Sequence, residues 1–317
     1  MNKILALLMI SIVIGCKPND TKEKTEKEDW WFWTASWNSE GNTIAVGGTQ
    51  DSLRIFTNSK LKRNYRISGT ITSLKWHPNN NIIAISTQGD NAKSMLKDID
   101  NDKEIILDSI NGSRAIGWNT KGDLLAVGGN DGFLSLYNDQ GILLKRVNLE
   151  QRAVTGLDWH PEKNILITVG HHIVMYDFEN DKKTEIIPRN VDVLMLCVEW
   201  HPSGKFFVTG DYGDTDLNYP ALLQFWDEYG HKIKDIEHSK AEYRNLNWTK
   251  NGEVLATASD AIRLWTKDGK IIKEKKVEKL LWGIDWNNDD SQLVTTDEVG
   301  SVIIWDKELE KIKELEY

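Results

Sequence analysis

Beyond residue 30 the apolar residues of this chain come in short runs separated by polar turns, and no run has helical length or period. Val193 to Asp227 shows the unit. One apolar run ends in Trp200, His201-Pro202-Ser203-Gly204 makes a turn, and Phe206 to Thr209 forms a second run. After a polar connection, Leu222 to Trp226 forms a third run, closed by Asp227. Runs rich in β-branched and aromatic residues between turn signals predict an antiparallel meander. The unit recurs in seven copies anchored on Trp37, Trp76, Trp118, Trp159, Trp200, Trp248 and Trp286, at intervals of 39, 42, 41, 41, 48 and 38 residues.

A second aromatic closes the third run at Phe56, Tyr137, Tyr176, Trp226, Trp265 and Trp305, and the remaining copy is expected to place Leu96 there. A period near 40 residues with four short strands per unit predicts a β-propeller, here all-β with seven four-stranded antiparallel blades. One such sheet cannot bury both of its apolar faces alone, so each blade needs a neighbour on either side. The endings Leu-Trp-Thr at Trp265, Phe-Trp-Asp at Trp226 and Ile-Trp-Asp at Trp305 resemble those of WD40 repeats, and the likeness covers about Trp31 to Tyr317. The chain departs from that family in lacking a Gly-His pair ahead of the first strand. The Asp–His–Ser/Thr–Trp hydrogen-bond network common in the family is therefore not expected in full.

The anchor tryptophans are expected to fill the space between blades. Small residues three positions before them (Thr34, Ser73, Ala115, Gly156, Cys197, Asn245, Gly283) would let the innermost strands converge on a narrow channel. Trp31 and Trp37 are expected in the packing between blades one and seven. Lys311 to Tyr317 aligns with Lys232 to His238, so the last blade is expected to own its outer strand, and the ring to close by blade packing without strand exchange.

Residues 30–317 are thus one propeller domain, preceded by two segments of different character. Residues 1–15 carry an early lysine and an apolar core from Ile4 to Ile14, a signal-peptide pattern too short to span a bilayer comfortably. Val13-Ile14-Gly15-Cys16 resembles a bacterial lipobox, which implies lipidation of Cys16. Lys17 after the cysteine implies, by likeness to enterobacterial sorting, the outer rather than the inner membrane. Residues 17–29 contain no apolar residue and read as a solvated tether. The expected location is an exported protein, lipid-anchored to the bacterial cell envelope.

Charge narrows the partners. Forty-eight acidic against 39 basic residues give a net charge of −9 with no long basic run, which argues against nucleic acid. Cys16 and Cys197 are too few for a disulfide framework, and Cys197 reads as a buried, inert thiol.

The candidate chemistry is sparse. No Gly-x-Ser-x-Gly, phosphate-cradling loop or dinucleotide fingerprint is present, so no catalytic residue and no cofactor is assigned. Asp158, Glu199 and Asp285 each precede an anchor and face the channel in this reading; an enzyme using the channel mouth is the alternative they leave open. Asp214, Asp216 and Asn218 have the alternate spacing of a calcium loop, but the central glycine and the twelfth-position glutamate are missing, so no metal is assigned. His171-His172 lie on a strand path and point to opposite faces. His77, His160 and His201, each before a proline or turn, are expected to set turn geometry. The family resemblance implies partner contacts at the channel mouth, at the residue four before each anchor: Trp33, Thr72, Arg114, Thr155, Leu196, Arg244 and Trp282. Trp33, Arg114, Arg244 and Trp282 have the composition of an interface hot spot. An arginine fork beside aromatic surface suits a carboxylate-bearing peptide or protein. The expected function is a membrane-anchored, non-catalytic protein-binding or scaffold module, with a calcium-dependent binder or propeller enzyme as the alternative.

Overall fold

A computed structural model describes residues 31–107, 112–189, 191–214 and 216–317. Cys16, the tether at 17–29 and Trp30 lie outside the described residues. Among the described residues twenty-eight strands form seven four-stranded antiparallel sheets, each pairing its strands in chain order. The seven-bladed propeller expected from the repeat is what the chain forms.

Burial follows the period of the repeat. Second strands such as Thr43–Gly48 and Leu124–Gly129 are buried along their whole length, because both faces of each blade are covered by neighbours. Outer strands such as Ile271–Lys276 alternate exposed and half-buried residues, and their lysines blunt an edge that would otherwise template pairing. Lys311–Glu314 pairs with Val302–Asp306 in the last sheet, so the final blade does own its outer strand.

The apolar cores lie between blades, and each anchor tryptophan packs on the blade before its own. Trp200 meets Ile167, Val169 and Ile173 of blade four; Trp248 meets Val208 and Phe225 of blade five. Trp37 closes the circle, packed against Val294, Val302 and Ile304 of blade seven. The small residues three before the anchors allow the approach: a Cβ on Gly156 would stand 3.0 Å from the Leu196 carbonyl oxygen.

Two expectations need correction. The residue that replaces the third-strand aromatic in blade two is Lys97, not Leu96, because Ile83 pairs with Lys97 as Leu125 pairs with Tyr137. Lys97 is 3% exposed, with its ammonium 4.4 Å from the Tyr65 ring centroid and paired to Asp102 and Glu104 at 2.5 and 3.0 Å. Its aliphatic stem fills the aromatic's place while the head reaches water-facing acids, which no hydrophobicity count would find. Trp31 is not in the inter-blade core: it is 37% exposed, and Phe32, 1% exposed, fills that position. The Thr–Trp part of the family network, finally, is present in three blades. The indoles of Trp226, Trp265 and Trp305 donate to the hydroxyls of Thr209, Thr257 and Thr295 at 3.0, 3.1 and 2.8 Å.

Candidate functional site: the axial channel

The innermost strands surround a cavity of about 140 Å³ on the propeller axis. All seven residues four before the anchors line it. The reason is a repeated irregularity. In five blades a β-bulge falls at this position, leaving Trp33, Thr72, Arg114, Leu196 and Trp282 without a partner in the ladder. A bulged residue is swung out of the pleat, here toward the axis. Thr155 and Arg244 come just before the shorter inner strands Gly156–Trp159 and Asn245–Trp248 and reach the same place.

At the mouth the aromatics gather on one side. The Trp282 ring lies 4.7 Å from Trp33 and 5.7 Å from Trp31, centroid to centroid. The Arg244 guanidinium carbon sits 3.8 Å above the Trp282 centroid, a cation–π contact, and Arg244 is paired to Glu242. Tyr212 approaches the same guanidinium at 5.7 Å. Arg114 stands in the same cavity but outside this stack, its Nε donating to Gln88 Oε1 at 3.0 Å. Burial lowers the Arg114 pKa, and the like charge of Arg244 lowers it further, so the two guanidiniums share one field. The mouth thus joins three of the four hot-spot candidates in one contact group and places Arg114 apart from them.

The floor is set by the residue immediately before each anchor: Ser36, Lys75, Gly117, Asp158, Glu199, Asn247 and Asp285. Blades four to seven carry acceptor side chains, and each binds the backbone N–H of the next anchor. Trp200 donates to Asp158 Oδ2 at 2.7 Å, Trp248 to Glu199 Oε1 at 3.2 Å, Trp286 to Asn247 Oδ1 at 2.7 Å and Trp37 to Asp285 Oδ2 at 2.6 Å. The last of these staples blade seven to blade one. Where the position is Ser36 or Gly117, the next anchor turns its indole instead: Trp76 Nε1 donates to the Ser36 carbonyl and Trp159 Nε1 to the Gly117 carbonyl, both at 2.9 Å. The indole N–H of each other anchor has no partner among the described residues. The three channel acids expected from sequence are therefore inter-blade staples with one oxygen each.

Their second oxygens and Lys75 make the floor charged. Desolvation pushes Asp158 and Asp285 up to about 6, only partly offset by Lys75, and drives Glu199 well above the carboxylate range. Desolvation would lower Lys75, but the charges of Asp285, Glu199 and Asp158 hold it above its ordinary value. Lys75 reaches open channel space, yet forms no ion pair within 4.0 Å among the described residues. Sequence reading missed Lys75, although it occupies the same repeat position as the acids; comparing that position across all seven copies would have found it. Cys197 also lines the channel, with burial raising its pKa and its thiol donating to the Tyr243 carbonyl at 3.2 Å.

The other candidates have local duties. His77, His160 and His201 each place Nε2 on the carbonyl of Gly122, Gly204 or Gly252 in the next blade, at 3.0, 3.1 and 2.8 Å. Their Nδ1 atoms accept backbone N–H groups, so Nε2 carries the proton and donates. Those glycines have φ of 80°, 67° and 73°, and a Cβ would stand 2.5–2.6 Å from the imidazole Nε2, so the turn geometry and the histidine require each other. His171 and His172 diverge, to Asp192 and Glu185. Asp214 caps its own hairpin by accepting from the Leu217 N–H at 2.9 Å, and Asp214 and Tyr219 form an isolated bridge. Among the described residues no three His, Cys, Asp or Glu side chains are placed to share an ion. No helix among them is long and apolar enough to cross a membrane.

Residues 170–284 match a family model described as Eukaryotic translation initiation factor eIF2A. The chain is 23% identical over 179 residues to the Intraflagellar transport protein 80 homolog of Mus musculus, covering 56% of this chain and 22% of that protein. The same protein of Rattus norvegicus matches with the same identity and coverage. The matched part is thus about a fifth of these relatives' length. With seven four-stranded blades, anchors at a period of about 40 residues and the Thr–Trp link in three blades, the chain is a WD40-type β-propeller.

Proposed function

We propose that this propeller is a non-catalytic protein-binding module, exported and held to a bacterial envelope by lipid on Cys16, and that it engages a protein or peptide partner at the channel mouth. One observation carries the binding reading: bulges aim two tryptophans and an arginine into the same cavity, while Arg244 lies on Trp282 beside them. Rigid aromatic surface with a stacked guanidinium is the composition of binding hot spots. The anchoring reading is supported by the apolar run Ile4 to Ile14 ahead of Val13-Ile14-Gly15-Cys16.

Two variants test the two halves. Arg114→Ala with Arg244→Ala is compared with Lys62→Ala and Lys276→Ala, exposed on outer strands. Both proteins should melt alike, and only the first should lose envelope partners captured by the wild type; retention of every partner refutes the mouth. Cys16→Ser should move the protein out of the detergent phase and change its mature mass, and unchanged partitioning refutes the anchor.

A further inference from the structure

The channel is bipolar, and the two poles belong to different register positions of the same strands. The mouth offers donors. Arg114 uses only Nε, toward Gln88, and its terminal nitrogens have no partner among the described residues. The indole N–H groups of Trp282 and Trp33 also lack a partner among the described residues but are enclosed, so the donors that the mouth presents are those of the arginines. The floor offers acceptors. Asp158, Glu199 and Asp285 lie three residues further along their strands, roughly 10 Å deeper at about 3.3 Å per residue. Glu199 Oε2 is enclosed and accepts from nothing among the described residues. Lys75, from blade two between Ser36 and Gly117, is the one cation among the described residues that faces those carboxylates, and it forms no ion pair with them. Burial, only partly offset by Lys75, pushes Asp158 and Asp285 up to about 6. Between the poles the wall is made by small residues three before the anchors, Thr34, Ser73, Ala115, Gly156 and Cys197, while Trp282 is covered by Arg244 and Trp33.

We propose that the channel cup receives the C-terminal lysine or arginine of a peptide, its main-chain carboxylate at Arg114 and Arg244 and its cationic head between Asp158 and Glu199. This rests on the binding reading above and names the ligand chemistry. In an extended lysine or arginine residue the carboxylate and the cationic head stand roughly 7–9 Å apart, by ordinary bond lengths. The strand register separates the two poles by roughly 10 Å, comparable to that span. The aliphatic stem then lies along the small side chains between the poles, Ala115 and Cys197 among them, where a long basic side chain packs its methylenes. An internal lysine has no carboxylate for the mouth, and a terminal leucine has no cation for the floor, so the cup distinguishes both from a basic C-terminus.

The test uses the full-length protein, tryptophan fluorescence and calorimetry, with three peptides: Gly-Ala-Ala-Lys as free acid, the same peptide as C-terminal amide, and Gly-Ala-Ala-norleucine as free acid. The lysine free acid should bind at least about tenfold more tightly than either of the others. Asp158→Asn with Glu199→Gln keeps an acceptor for the Trp200 and Trp248 N–H groups while removing the charges. It should abolish the preference for lysine over norleucine and leave the preference for acid over amide. Equal affinity for the amide or for norleucine in the wild type, or no binding of the lysine free acid, overturns the proposal without needing any variant. If the peptides fail while partner capture still depends on Arg114 and Arg244, the terminal-residue chemistry is wrong and the mouth remains the site. If capture is also indifferent to the arginines, both readings fall.

Discussion

Replacing Asp285 by Asn tests whether the channel acids staple the ring at an electrostatic cost. Asp285 accepts the Trp37 N–H at 2.6 Å across the junction of blades seven and one, and an amide oxygen can accept the same bond. What Asn removes is a charge whose pKa is pushed from 3.8 up to about 6, chiefly by desolvation. The folded protein holds this proton more tightly than the unfolded chain. Asp285 therefore contributes stability below pH 3.8, and that contribution is lost as pH rises through about 6. Two pKa units correspond to about 3 kcal/mol, and channel water screens this to about 1–2 kcal/mol. Asp285→Asn should thus be more stable than the wild type by about 1–2 kcal/mol at pH 7.5 and nearly equal to it at pH 4, in urea unfolding followed by tryptophan fluorescence. His77, His160 and His201, lowered by burial, titrate with the opposite sign but are common to both proteins and cancel in the difference. Asp285→Val supplies the contrast: it orphans the Trp37 N–H and should cost about 1–3 kcal/mol relative to Asn. A variant Asp285→Asn that is less stable than the wild type at pH 7.5, or whose pH dependence is unchanged, refutes the reasoning.

Trp200→Ala, removing the ring that fills the core between blades four and five, should cost about 3–5 kcal/mol in the same assay, and a cost below about 1 kcal/mol would deny its role as an inter-blade filler. Lys97→Met keeps the stem volume and loses the contact with Tyr65 and the two ion pairs; a loss of about 1 kcal/mol is expected, and one above about 4 kcal/mol would mean the charge itself holds blade two together. Asp214→Asn with Asp216→Asn should leave stability within about 0.5 kcal/mol, and a calcium-dependent rise in melting temperature confined to the wild type would establish the metal loop instead.

Much of the architecture is legible in the sequence, because a propeller repeats one local pattern and repetition averages out local ambiguity. Seven anchors at near-constant spacing, small residues three before them and turn residues after them determine blade number, strand order and the inward-facing edge. The final strand could be assigned by aligning Lys311 to Tyr317 with Lys232 to His238, and it pairs as that alignment implies. The same alignment located the seven mouth positions, since being four before the anchor is a property of the chain alone. What those positions do was decided by the tertiary structure. A bulge shifts the ladder by one residue, and nothing in a run such as Ser113 to Trp118 marks where it falls. Whether Arg244 is a free fork or a stacked, paired one depends on Trp282 and Glu242, and Trp282 comes from the neighbouring blade. Hydropathy puts Leu96 in the aromatic's place because it records the charge of Lys97 and not the stem, and only the pairing register puts Lys97 there. The floor shows the division most clearly. Asp158, Glu199 and Asp285 are far apart in the chain, and their raised pKa values exist because closing the ring brings them around one desolvated axis beside Lys75. Local pattern sets where each strand turns; the charge state of the channel is a property of the closed circle.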